Sequence, residues 1–351
     1  MSPVTPKLTD LTVPVVGAPM AGGPSTDDLV AAVSGAGGLG FLATAYRSGS
    51  AVAQSISALR DRGVDRFGAN VFVPDSPADH VVDRDAVQAY RDALAPRAAA
   101  LGVTVPEIPE HSTDAYDEVV AVLVEAAVPW VSFTFGLPSD SDVAALHRAG
   151  SSVVITVTDV DDARAAVDRG ADVVWVQGPE AGGHRSTFSV HATPPTTPLV
   201  ELLPAVRAAV DVELIASGGV ASGADVARLL DLGANAVAIG TLLLDTPEAG
   251  TSGAHRRALN DPAFSETVLT RAFSGRPARG LDNAFHRDLH VLAPPAFPEL
   301  NTLTGPLRKA AAAQDDPDGV TLWAGTGVAA VTDDPAATVV GRLWAQARGH
   351  R

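Results

Sequence analysis

The sequence predicts an α/β fold: a (β/α)8 TIM barrel of parallel strands, with a smaller helical and irregular cap after the eighth strand. Three observations lead there. Short apolar runs alternate with Ala-rich, helix-like segments through the first two-thirds of the 351 residues, the sign of repeated βα units. The runs are apolar almost without interruption, as strands covered on both faces are. Several of them end in glycine-bearing turns, which is where such a barrel keeps its chemistry.

Taken in order, the strands are expected at Val13–Gly17, Leu39–Ala43, Phe67–Val73, Trp130–Phe135, Val153–Val157, Val173–Gln177, Glu213–Ala216 and Ala236–Gly240. Helices are expected between them at Asp27–Ser34, Val52–Arg62, Ser141–Ala149, Ala163–Arg169, Leu199–Val210 and Ala224–Leu232. Gly63, Gly150, Gly170 and Gly233 stand where these helices should stop, because glycine adopts the left-handed conformation cheaply. Asp75–Val128 is too long for one crossover and reads as two helices, Ala78–Leu101 and Asp114–Ala127, split by a Pro106–Pro109 loop. Asp245 to Val320 shows no strand periodicity and reads as a cap over the barrel mouth. Ala336–Arg348 has helical spacing and would be the eighth outer helix. The expected organisation is therefore barrel 1–245, cap 246–320 and C-terminal segment 321–351.

Composition removes whole classes of function. A balance of 25 basic against 41 acidic residues, net charge -16, repels phosphate backbones, so no nucleic-acid partner is expected. No apolar stretch approaches the length of a membrane span, and the first residues lack an apolar signal core; a cytoplasmic protein is expected. With no cysteine there is no thiolate nucleophile, iron–sulfur cluster or cysteine zinc site. The two lysines, Lys7 and Lys309, lie at no predicted strand end, which argues against Schiff-base chemistry. Acid–base work by histidine and chemistry supplied by an organic cofactor remain.

The sixth strand runs into Gly178-Pro179-Glu180-Ala181-Gly182-Gly183-His184-Arg185. An imidazole there can titrate near neutrality and face a ligand at the barrel mouth, so His184 is the candidate acid–base group. Ser217-Gly218-Gly219-Val220 and Ile239-Gly240-Thr241 end the seventh and eighth strands, with Asp225 in the helix that follows the first turn. Two such turns on successive strands form a pattern for binding phosphate through backbone N–H groups. A phosphate-bearing cofactor facing His184 is the leading expectation. The turn Gly17-Ala18-Pro19-Met20-Ala21-Gly22-Gly23-Pro24 either lets backbone approach a flat ring or is an ordinary βα turn. Asn70, polar inside an apolar strand, bonds neighbouring backbone or reads a ligand edge, and Gln177 has the same two readings. The cluster Arg271, Arg276 and Arg279 binds an anion or pairs with the protein's own carboxylates. His286 and His290 have the spacing of a helical metal pair but no third ligand motif; a solvated face is the simpler reading, and no metal is expected.

With these residues in hand, the chain resembles the nitronate monooxygenase family, FMN-dependent barrel enzymes formerly called 2-nitropropane dioxygenases. The resemblance rests on GAPMAGG (17–23), AGGLGF (36–41), FGANVFVP (67–74), VSFTFGLP (131–138), QGPEAGGHRSTF (177–188), ASGGVASGADV (216–226), IGT (239–241) and TRAFSGRPARG (270–280). The histidine and FSGRPARG segments are its specific part. It implies FMN as cofactor, with Met20 and Ala21 near the ring. It also implies cofactor contacts from Asn70, Gln177, Gly182 and Gly183, and a phosphate on Ser217, Gly218, Gly219 and the stretch Ala238, Ile239, Gly240, Thr241. His184 matches the family's base, and Thr134, Phe273 and Phe297 fall where substrate is expected. The implied reaction is oxidation of nitronates, or of nitroalkanes first deprotonated by His184, by O2 to carbonyl compounds plus nitrite or nitrate. Many relatives have glutamine at the place of Ala238 and histidine at that of Thr134. Some line the pocket with tyrosines and a cap lysine, which the region Phe297–Asn301 lacks, so an aromatic hydroxyl cage is not expected. Two alternatives use the same scaffold: an NAD(P)H-dependent quinone or enoyl-thioester reductase, and a non-catalytic flavin-binding protein.

Overall fold

A computed structural model describes residues 5–75, 80–109 and 115–350. Eight parallel strands close into a barrel: β1 (Val15–Gly17), β2 (Leu39–Ala43), β3 (Phe67–Phe72), β4 (Trp130–Thr134), β5 (Ser152–Val157), β6 (Val173–Gln177), and then, after a short strand β7 (Gly183–His184) outside the barrel, β8 (Glu213–Ser217) and β9 (Ala236–Ile239). β9 returns to β1 in register, Val16 opposite Ala238, which closes the cylinder. Strand bounds depart from the sequence reading by no more than two residues.

The barrel interior is filled by Val16, Leu39, Phe41, Trp130, Val154, Val173, Trp175 and Ile215. Its bottom is stoppered by Leu8, in a short turn whose Leu8 and Thr9 amides donate to the Glu213 carboxylate at 2.8 and 3.1 Å. A packed interior leaves the C-terminal rim as the place for a site. Outside, helices start up to three residues earlier than apolar spacing indicates, at Gly49 and Val160 for example. The reason is capping: Ser48 and Asp159 accept hydrogen bonds from the Ala51 and Asp162 amides, extending each helix to its polar first turn. Gly63, Gly150, Gly170 and Gly233 all have positive φ, as helix stops require. The last helix, Ala336–His350, packs on Gly223–Asp231, where a Cβ on Gly223 would lie 2.3 Å from that of Gln346.

The stretch read as free of strands contains two. β10 (Thr267–Thr270) and β11 (Ala278–Leu281) pair antiparallel, and β7 adds to β11 in the order β10-β11-β7. Strands of four residues, one of them carrying glycine and arginine, show no alternation long enough to read. Of the two helices expected in the insertion, Arg84–Leu101 and Tyr116–Glu125 are formed; the expected starts at Ala78 and Asp114 lie outside the described residues. The first of these packs not on the barrel but with the cap, where Val87, Tyr90 and Leu94 share one cluster with Phe273, Phe285, Leu300 and Leu303. The Tyr90 hydroxyl donates to the Ala272 carbonyl inside it.

Candidate active site

A cavity of about 540 Å³ opens at the C-terminal ends of the strands. Met20 and Ala21 line it from the turn after β1, Asn70 from β3 and Thr134 from β4. Gln177, Gly182, Gly183 and His184 line it from β6 and the loop beyond. Ser217, Gly218 and Gly219 line it from the end of β8 and the turn beyond, and Ala238, Ile239, Gly240 and Thr241 from the end of β9 and its turn. Phe273 reaches it from the cap, whereas Phe297 stands behind the wall, its ring 6.1 Å from that of His184.

The glycines on this wall are close approaches of main chain. A Cβ on Gly182 would sit 2.6 Å from the Ala324 carbonyl carbon and the Gly325 amide nitrogen. Gly219 has φ +70°, and its Cβ would meet Glu180 at 3.0 Å and Thr326 at 3.2 Å. Gly325 donates its amide to Thr241 Oγ1 at 2.9 Å, so Trp323-Ala324-Gly325-Thr326-Gly327 closes over both turns. Asp225 serves the helix instead: its carboxylate accepts from the Ala221 and Ser222 amides at 3.0 and 2.9 Å, in a capping box with Ser222.

The two amide side chains differ in what they leave free. Asn70 is 4% exposed, and its Oδ1 accepts hydrogen bonds from Ser132 Oγ at 2.8 Å and Thr134 Oγ1 at 2.9 Å. Its Nδ2 donors are thereby turned to the cavity. Thr134 thus spends its hydroxyl on Asn70. Gln177 donates from Nε2 to the His184 carbonyl at 2.9 Å and accepts from the Ser186 amide at 3.0 Å, so its amide ties the histidine loop to β6.

His184 is held from three sides. In the backbone it pairs with Ala278 of β11, and the next amide, of Arg185, donates to the Pro277 carbonyl at 2.7 Å. Its Nε2 lies 2.8 Å from Ser274 Oγ. Its ring lies among Trp323, Phe135 and Phe72, with centroids 5.5, 5.7 and 6.4 Å away. Burial lowers its pKa to about 3, helped by the positive charges of Arg276 and Arg308. The imidazole is therefore neutral at ordinary pH. Phe135, in that aromatic wall, has φ +80°, a strained backbone for a non-glycine residue of the kind that collects at functional sites.

Of the arginine cluster, none lines the cavity. Arg276, 1% exposed, lies over the Phe135 ring at 4.1 Å and 3.6 Å from Asp75. Arg279 donates to the Pro179 carbonyl at 2.8 Å. His286 bonds to Asp282 at 2.6 Å, and no group of three or more candidate metal ligands occurs among the described residues.

The sequence profile of the nitronate monooxygenase family matches residues 5–344. The chain belongs to that family. It is an oxidoreductase, and proteins of this kind surround it in similarity. A probable nitronate monooxygenase of Staphylococcus saprophyticus is 33% identical over 323 residues, covering 91% of this chain and 90% of the relative. One from Staphylococcus aureus is 32% identical over 340 residues, covering 96% and 95%. Among solved structures, nitroalkane oxidase from Streptomyces ansochromogenes is 43% identical with a TM-score of 0.91, covering 97% of this chain and 98% of that one. FabK from Thermotoga maritima, at 24% identity and TM-score 0.76 over 98% and 96%, shares the fold.

Against this nitronate monooxygenase framework, several residues on the wall escape a reading of the sequence. Trp323 and its glycines come from beyond the cap, and Tyr46 and Phe72 from the ends of β2 and β3. The cap does bring cations: Arg308 and Lys309, on the helix Glu299–Ala313, both border the cavity. No strand end carries this dipeptide; it reaches the cavity on the helix Glu299–Ala313. No helix among the described residues is long and apolar enough to cross a membrane.

Proposed function

We propose that this chain is an FMN-dependent oxidase of neutral nitroalkanes and their nitronates, using O2 and releasing carbonyl compounds with nitrite or nitrate. The observation that supports this best is a neutral, half-buried histidine facing the same cavity as a glycine-lined cradle. The cradle fits a flavin phosphate: Gly218, Gly219, Gly240 and Thr241 supply main chain at two adjacent turns, and Gly219 takes a positive φ where a Cβ would crowd Glu180 and Thr326. Those four residues and Ser217 would hold the phosphate, and Met20, Ala21, Gly182, Gly183, Ala238 and Ile239 would lie along the cofactor. Asn70 would donate to the ring's edge from Nδ2. FMN, when bound, supplies the electron acceptor for the substrate and a route to O2.

What the protein does itself is proton transfer and exclusion of water. His184 would take the α-proton of a nitroalkane, Ser274 would orient its ring, and Phe72, Phe135 and Trp323 would keep bulk water away. Thr134 and Phe273 would shape the substrate space. Residues 1–245 would hold the cofactor, 246–320 would cover the substrate, and the final segment would close over the phosphate through Gly325. We place the protein in the cytoplasm.

The test is an oxygen-electrode screen of purified protein against nitroalkanes and preformed nitronates, with nitrite measured alongside. Oxygen uptake with nitrite release is expected. Rapid anaerobic bleaching of the flavin by NADH or NADPH, with no uptake on any nitro compound, would instead establish the reductase.

A further inference from the structure

The two fully buried arginines, Arg185 and Arg276, each have an acidic group near them. Arg276 has Asp75 and the Phe135 ring. Arg185 donates to the Gly178 and Pro195 carbonyls and feels the Glu180 charge. Arg308 is different. Nε donates to Thr304 Oγ1 at 3.1 Å, and Nη2 donates to the Asn301 carbonyl and Oδ1, both at 2.8 Å. All three acceptors are neutral and all belong to its own helix. Among the described residues no carboxylate lies within 4.0 Å of it, and no protein hydrogen bond engages Nη1. Burial lowers its pKa, and its charge reaches His184 across the cavity that both residues line.

A half-buried guanidinium without a counter-ion is costly unless an anion completes it. The neutral imidazole opposite cannot be that anion's partner. We propose that Arg308 holds the nitro group of the substrate and stabilises the negative charge that develops there as His184 removes the α-proton; this rests on the nitroalkane reading above. In that step the C–H bond breaks and the proton goes to the imidazole. The bond's electron pair becomes the C=N bond, and the N=O electrons move onto the nitro oxygens; nothing leaves. Nη1 keeps both of its N–H groups for the nitro oxygens, while the bonds from Nε and Nη2 hold the charge in place, which a flexible ammonium group would not match. Because the charge appears during the step, Arg308 acts on kcat for nitroalkanes. With a nitronate that is charged from the start, it acts on KM.

Inorganic nitrate, planar and anionic, is the probe. Its binding to the flavin-loaded protein is followed by perturbation of the flavin spectrum and requires no turnover. Wild type should bind nitrate competitively with substrate, and Arg308→Gln should weaken binding by about 30-fold or more. The same variant should lower kcat for nitroethane by about 100-fold and mainly raise KM for ethyl nitronate. Should that variant fold poorly, Arg308→Lys keeps a charge but loses the Nε and Nη2 bonds that fix its position, with nitrate binding about 5-fold to 10-fold weaker. Nitrate affinity within about threefold of wild type in Arg308→Gln, unaltered affinity in Arg308→Lys, or no nitrate binding by wild type would each overturn the proposal. If nitrate binding depends on Arg308 but no nitro compound is oxidised, the functional reading falls, the nitro assignment falls with it, and only an anion site stands. If oxidation proceeds and nitrate affinity ignores Arg308, the functional reading stands and this one falls.

Discussion

On the barrel side the cavity is walled by main chain and small residues, Gly182, Gly218, Gly219, Ala238 and Gly240, whereas on the cap side it meets Phe273, Trp323, Arg308 and, through Ser274, the buried Arg276. The first wall offers donors whose positions are set by strand register, and it can cradle a large planar group without conforming to it. The second places charge and aromatic surface by contacts between segments far apart in the chain, such as Asp75 with Arg276 and Arg97 with Asp288. The difference teaches that cofactor retention and substrate chemistry are separable here. A variant on one wall should leave the property of the other largely intact.

The largest expected break in that separation is His184→Asn, which sits between the walls. It should retain flavin while lowering kcat/KM for neutral nitroalkanes by about 10²-fold to 10⁴-fold, measured by oxygen uptake, with preformed nitronates much less affected. Since burial holds the His184 pKa near 3, the base is unprotonated at every higher pH. The wild-type rate on nitroalkanes should therefore show no fall as pH drops through 6.5, and a fall there would mean a solvated imidazole. On the cap side, Asp75→Asn leaves Arg276 with no opposing charge and should cost about 3 kcal/mol by chemical denaturation. On the barrel side, Gly182→Ala forces the Ala324–Gly325 backbone away and should cost about 1–3 kcal/mol, with loss of flavin affinity by equilibrium dialysis. Equal flavin loss in the Asp75 variant would erase the distinction between the walls. The smallest effect is expected of Ser274→Ala, which removes one hydrogen bond to His184 and should lower kcat about fivefold at unchanged flavin affinity.

The same contrast explains what could be read from the residues alone. Strand positions follow from apolar runs, and the cradle follows from glycines at their ends, because both are local in sequence. His184 belongs with them, since its turn is contiguous with β6. Arg308, Trp323 and Phe135 do not. Arg308 reaches the cavity only because the helix Glu299–Ala313 packs on Arg84–Leu101 through Leu300, Leu303 and Leu307, a contact between distant segments. Gln177 was legible as a polar strand end, but which partner it takes depends on β7 folding back beside it. The sheet β10-β11-β7 is not legible in the sequence for the related reason that its strands are too short to alternate.

That sheet has one more consequence. The proposed base is stitched, residue for residue, into a ribbon whose other two strands belong to the cover, with His184 opposite Ala278 and Gly183 opposite Arg279. Cover and base form one mechanical piece, riveted to the cylinder at Gln177. Swapping covers between relatives to change what they accept would also re-aim the group that takes the proton, so such chimaeras need their β7 loop transplanted along with the roof.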